Sequence, residues 1–182
     1  MNLSEDFLIS LPTMATKKFS NSLVYIQQHN GDGASGWIIN KPLDDKSSAR
    51  VSQEMGLTIE SQPIYFGGPV NVEQAFVLHT PDVRLSNTIQ LTENLCLTRE
   101  KHIINMLNLD NFPDKWKIII GQSQWGPGQL ESEIYGSRTQ GKSLWTSIPY
   151  RQDLMWNTIS SYQWSTGLKA SATNKVKSLI NF

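Results

Sequence analysis

The chain has 182 residues, 38% hydrophobic and 18% charged, with 16 Lys+Arg balanced by 16 Asp+Glu. That length suits one domain whose core needs no disulfide or metal staple. Zero formal charge leaves no excess of cations to displace counterions from phosphates, which argues against direct nucleic-acid binding.

From the N-terminus, Met1 to Met14 lacks a basic segment leading into a long apolar run, so no signal peptide is expected. No apolar stretch approaches the roughly 18 residues of a membrane span. A soluble, cytoplasmic protein without a membrane partner is the expectation. Phe7-Leu8-Ile9-Ser10-Leu11 reads as a short strand stopped by Pro12. Ser22–His29 and Ala34–Asn40 are strand-like runs around Asn30-Gly31-Asp32-Gly33, a turn whose residues tolerate positive φ, so they form a β-hairpin. Asn40-Lys41-Pro42 ends the second strand, because proline has no N–H for the ladder.

Lys46–Met55 places Val51 and Met55 one helical turn apart, with Gly56 as the cap. Pro63–Phe66 and Ala75–His79 are strands separated by Gly67-Gly68-Pro69-Val70. Thr88–Leu91 and Leu95–Leu97 pair through Thr92-Glu93-Asn94. Cys96, the single cysteine, has no disulfide partner within the chain and cannot complete a thiolate zinc site; between two leucines it reads as a buried strand thiol. Thr98 is placed to cap a helix through Asn108. Trp116–Ile120 is a buried strand ending at Gly121, followed by a tight loop, Gln122–Gly128, and a helix, Gln129–Tyr135. Leu144-Trp145 begins a last strand, and Pro149 opens a helix to about Tyr162. Beyond Gly167 the chain has three lysines and no acids, which suits a weak helix or a frayed tail. Hairpins early and helices late predict an α+β fold with a mixed, largely antiparallel sheet surrounded by helices.

Candidate chemistry is sparse. His29 and His79 each sit where a strand meets a polar loop, and His102 lies in the helix predicted after Thr98. No histidine pair has a local metal-ligand spacing, so no metal or cofactor is expected. Gly121-Gln122-Ser123-Gln124-Trp125 lies between strand and helix, like a nucleophile elbow. That turn needs glycine where Trp125 stands, so the serine-hydrolase reading fails. Gly126-Pro127-Gly128 opens a helix as a phosphate cradle does. Glu131 and Glu133 would repel an anion there and instead cap their own helix. Trp125 reads as a wedge beneath the loop, and Gly67-Gly68-Pro69 as a device for close backbone approach.

Five segments occur together in order: Phe7–Pro12, His29–Pro42 (HNGDGASGWIINKP), Gly67–Val70 (GGPV), Phe76–His79 (FVLH) and Trp125–Glu131 (WGPGQLE). In these the chain resembles the AlgH/YqgE family of bacterial proteins, over about residues 5–168. The resemblance implies an α+β fold with a bifurcated or mixed sheet, a single domain over 1–168, and a tail over 169–182. It also implies a cytosolic protein with no catalytic residue defined for the family, one member of which is described as a transcriptional regulator. The motif positions carried over are His29, Gly36, Asn40, Lys41, Pro42, Gly67, Gly68, Pro69, His79, Trp125, Gly126, Gly128, Gln129 and Glu131. Two positions depart from the family pattern. Gln124 stands where glycine usually precedes the tryptophan, and Thr98-Arg99-Glu100-Lys101-His102 replaces a run containing serine and aspartate. The reading favoured is a non-enzymatic binding or regulatory domain, acting on transcription indirectly if at all. Its partner would be a protein or small molecule held on the motif loops. The alternative is a hydrolase or transferase using His29 or His79 with Glu131, which requires those groups within hydrogen-bond reach beside a pocket.

Overall fold

A turn rich in asparagine, aspartate and glycine can reverse a chain within two residues, and the frame of this fold begins on one. In the computed structural model, which describes residues 1–56, 63–99, 113–137 and 139–180, strand β2 (Leu23–Asn30) turns directly into β3 (Gly33–Ile38). Asn30 lies opposite Gly33, and the Asn30 side chain accepts the Asp32 N–H at 2.9 Å. The positive φ falls on Gly33 (+123°), where a Cβ would stand 2.2 Å from the Trp125 carbonyl oxygen. That bare backbone lets the next strand approach.

The remaining strands are β1 (Phe7–Ser10), β4 (Ile64–Phe66), β5 (Val70–His79), β6 (Ile89–Thr92), β7 (Leu95–Arg99), β8 (Trp116–Trp125) and β9 (Trp145–Ile148). Among the described residues they form one nine-stranded sheet in the order β6-β7-β5-β8-β3-β2-β1-β9, with β4 paired to β8 off that path. Only β4 and β8 run parallel, so the sheet is mixed and largely antiparallel, as expected.

Strand β8 is where the sheet forks. Its first half lies between β5 (His79↔Trp116 to Ala75↔Ile120) and β4 (Ile64↔Ile118 to Phe66↔Ile120). Its last three residues pair with β3 instead. The chain from β4 to β5 crosses at the change of partner. Gly67 N–H donates to the Ile120 carbonyl at 2.8 Å, and the Gly67 carbonyl accepts from Ile38 N–H and the Ser123 hydroxyl, both at 2.9 Å. A Cβ on Gly68 (φ +152°) would lie 2.3 Å from the Gln122 backbone, and one on Gly121 (φ +75°) 2.3 Å from the Gly68 oxygen. Gly121 therefore bends β8 without ending it. The tight loop expected over Gln122–Gly128 starts only after Trp125, because Ser123–Trp125 find β3.

Helix α1 (Asp45–Met55) is capped by Asp44, whose carboxylate accepts the Ser47 N–H at 2.8 Å, and ends on left-handed Gly56. Helix α2 (Gln129–Tyr135) has the predicted bounds. The single helix expected from Pro149 to Tyr162 is instead a π-helical turn, Asp153–Asn157, an extended Thr158, and helix α3 (Ser160–Ile180). Helix α3 is continuous across positions 167–169. Thr98 lies within β7; the helix predicted after it, with His102, lies outside the described residues beyond Arg99.

Alternation along the central strands buries both faces of the sheet. Phe7, Tyr25, Trp37 and Ile119 pack beneath Trp156, Trp164 and Leu168, which belong to the π-helical turn and α3. Leu8, Val24, Ile26 and Ile38 face the other way, with Trp125, Trp145 and Leu130 of α2. A third cluster, Ile64, Val77 and Ile118, meets Val51 and Met55 of α1. Among the described residues, no helix is long and apolar enough to cross a membrane.

Candidate functional site

The two strand-end histidines lie at opposite ends of β8. His29 is joined through Ala34 to Trp125, whereas His79 pairs with Trp116. Nine residues of strand separate those rungs, about 30 Å at the usual rise. Any shared site for the two is excluded.

His29 meets Glu131, as the enzymatic alternative requires: Nε2 donates to Oε1 at 3.0 Å. Its other nitrogen is also taken. The Leu3 N–H donates to Nδ1 at 3.1 Å, which fixes the proton on Nε2. The His29 ring is 1% exposed and the Glu131 carboxylate 37%. Ser4 clasps the same strand, accepting the His29 N–H at 2.9 Å. Together these bonds fasten the N-terminal segment and α2 to the end of β2. The Glu131 carboxyl is held below the usual carboxylate range, first by its own backbone N–H at the start of α2 and then by His29. A hollow of about 200 Å³ lies beside the hairpin, lined by Gln28, Asn30, Asp32, Ser35 and Gln124 among others. Gln28 and Asn30 alternate with His29 along β2 and point to the opposite face, so the His29–Glu131 pair does not open into that hollow.

Glu133, expected to cap α2, does something else. Its Oε2 accepts the indole N–H of Trp125 at 3.1 Å and that of Trp145 at 2.7 Å, and its Oε1 accepts from Gln129 at 2.9 Å. The two indoles stack edge to face at 5.8 Å. Trp125 is thus the buried wedge expected of it. Gln129 accepts the Gly126 N–H at 3.0 Å, and left-handed Gly128 (φ +69°) receives the Ser132 hydroxyl on its carbonyl at 2.8 Å. The Trp125–Glu131 turn thus commits these polar groups to bonds within the fold.

His79 is buried in a hydrogen-bond chain. In the neutral ring Nδ1 donates to the Thr80 carbonyl (2.8 Å) and Nε2 accepts from the Thr98 hydroxyl (2.9 Å). Thr98 in turn accepts from Thr88 (2.8 Å), which accepts the Leu85 N–H (2.9 Å). This wiring requires a neutral ring, and burial lowers the His79 pKa from 6.5. The unfolded chain then binds a proton that the folded one refuses. Stability from this source is complete above pH 6.5 and is lost as pH falls toward the folded value. Denaturant melts between pH 6.5 and about pH 5 should show a stability slope that His79→Gln flattens. Cys96, which pairs with His79 across β5 and β7, is buried as expected, and burial raises its thiol pKa.

Gly67 and Gly68 form the crossing already described, with Pro69 exposed beside them. Asn40, Lys41 and Pro42 together line a larger open groove. Asn40 accepts the Leu23 N–H (2.8 Å) and donates to the Asn21 carbonyl (2.9 Å). Lys41 donates to the carbonyls of Lys17 (3.1 Å) and Lys18 (2.9 Å), and its partial burial lowers its pKa. Pro42 bridges to Tyr65. Against them lies the first turn of α3, with Ser160, Ser161, Tyr162, Trp164 and Ser165, enclosing about 740 Å³. The α3 side of this groove was not foreseen in the sequence. Among the described residues no group of three or more His, Cys, Asp or Glu could hold a metal.

Comparison with known proteins agrees with this architecture. A UPF0301 protein of Hahella chejuensis is 34% identical over 160 residues, 87% of this chain and 83% of the relative. One of Cronobacter sakazakii is 32% identical over 177 residues, 93% and 91%. The solution structure of the AlgH protein from Pseudomonas aeruginosa superposes with a TM-score of 0.75 at 24% identity, over 100% of this chain and 95% of that one. A crystal structure of a Corynebacterium diphtheriae protein gives 0.65 at 18%, over 87% and 83%. The family model described as AlgH-like matches residues 7–174, and the chain belongs to that family.

Proposed function

We propose that this protein is a non-enzymatic binding domain that recognises a polar ligand in the groove between Asn40-Lys41-Pro42 and the start of α3. The observation that carries the reading is the division among the motif residues. His29, Gly67, Gly68, His79, Trp125, Gly126, Gln129 and Glu131 are engaged in holding the fold. Lys41 has used two of its three N–H groups on loop carbonyls and keeps one for a ligand. Ser20, Ser160, Ser161 and Ser165 line the same groove. Its volume of about 740 Å³ lies within the usual range for small-molecule sites. A regulatory role would be indirect, through this ligand, since a formally neutral chain argues against direct DNA binding. The hydrolase or transferase alternative has its distance at His29–Glu131 but no unoccupied imidazole nitrogen with which to move a proton.

Affinity capture from native lysate, read by mass spectrometry for proteins and small molecules, tests the reading. A species retained by wild type and by Glu131→Gln is expected to be lost with Ser165→Arg, which fills the groove. Retention by all three proteins would refute it.

A further inference from the structure

A second hollow of about 400 Å³ opens on the other side of Ser160, between the first residues of β8 and the π-helical turn. Ser160 and Tyr65, bonded through their hydroxyls at 3.0 Å, stand between it and the groove. Lys117 lines this hollow and is only 9% exposed. It belongs to the inward face of β8, in step with Ile119, and its ammonium lies 4.0 Å from the centroid of the Tyr65 ring. No carboxylate among the described residues forms an ion pair with it. A buried ammonium is costly unless a counter-charge accompanies it, and the negative face of an aromatic ring neutralises it only in part.

We propose that this hollow binds a small organic anion carrying an aromatic ring, with its negative group on Lys117 and its ring against Trp156. Lys115, just before β8, also lines the hollow and brings a second ammonium, which rests on the Asn157 side-chain oxygen. The one carboxylate among the described lining residues is that of Asp114, so the lining carries two positive charges against one negative. Trp156, packed on the same face of the sheet as Ile119, provides an apolar wall for a flat group. Burial lowers the Lys117 pKa, the direction set by a charge without sufficient compensation. A bound carboxylate or phosphate would provide that compensation. The inference does not depend on the groove reading, since the two cavities share only Ser160 among their lining residues.

The test is titration of the intact protein with phenyl phosphate, benzoate, inorganic phosphate and neutral benzyl alcohol, followed through the indole N–H signal of Trp156. Phenyl phosphate or benzoate should give saturable shifts there, with inorganic phosphate and benzyl alcohol at least about tenfold weaker. A preference between the first two tells phosphate from carboxylate. Lys117→Met should weaken binding at least about tenfold while leaving Tm equal or higher, because it removes an under-compensated buried charge. Lys117→Arg should retain binding. Absence of saturable indole shifts in the wild type, or unchanged binding in Lys117→Met, would overturn the proposal; so would inorganic phosphate binding as tightly as phenyl phosphate. The wild-type titration decides the matter even if a variant fails to fold.

Discussion

Replacing Glu133 by alanine is expected to lower the unfolding free energy by about 3 kcal/mol and Tm by roughly 6–12 °C. The carboxylate is the common acceptor for Trp125 of β8 and Trp145 of β9, whose indoles lie against one another in the core. Removing it leaves both N–H groups without an acceptor, and Gln129 loses one as well. Glu133→Gln keeps a carbonyl oxygen for the indoles and loses only the charge assistance, so about 1 kcal/mol is expected. Equilibrium urea melts followed by tryptophan fluorescence measure both. Equal losses for alanine and glutamine would show that the charge, not the missing acceptor, dominates.

Gly68→Ala is expected to cost about 4 kcal/mol or more, enough to abolish a cooperative transition in a marginally stable domain. The new methyl would sit 2.3 Å from the backbone of Gln122, where no side-chain rotation relieves the overlap. The β4–β5 crossing would have to lift away from β8, taking with it the bonds from Gly67 to Ile120 and from Ile38 and Ser123 to Gly67. Gly128→Ala is the control. Its φ of +69° is also unfavourable to alanine, yet nothing lies within 4 Å of the added carbon, so about 1–2 kcal/mol is expected. A Gly68→Ala protein within about 1 kcal/mol of wild type would mean that the crossing is free to shift.

The sequence disclosed what short-range chemistry controls. The turn between β2 and β3, the bounds of α2 and the pairing of β6 with β7 all rest on residues within a few positions of one another. The extent of β8 was hidden because Gly121 reads as a stop until the β4–β5 crossing gives it a reason to bend. Glu133 was misjudged for a similar reason: its partners are eight and twelve positions away and converge only once β9 closes on the sheet. His29 and Glu131, 102 positions apart, were both singled out, but only the fold shows that Leu3 occupies the other nitrogen. Lys117 carries a local signal in the sequence. In Trp116-Lys117-Ile118-Ile119-Ile120 strand alternation sets the lysine on the side of Ile119, a place for a charge only if something answers it.

The motif loops thus divide into a part that holds the sheet together and a part that meets solvent beside α3. Amide-resolved NMR during titration with a small-molecule library separates the two most directly. Ligands are predicted to produce saturable shifts at Asn40, Lys41, Tyr162 and Ser165, leaving the turn at Gly126–Glu131 unmoved. Saturable shifts at Gly126, Gln129 and Glu131, with the groove signals still, would contradict the account.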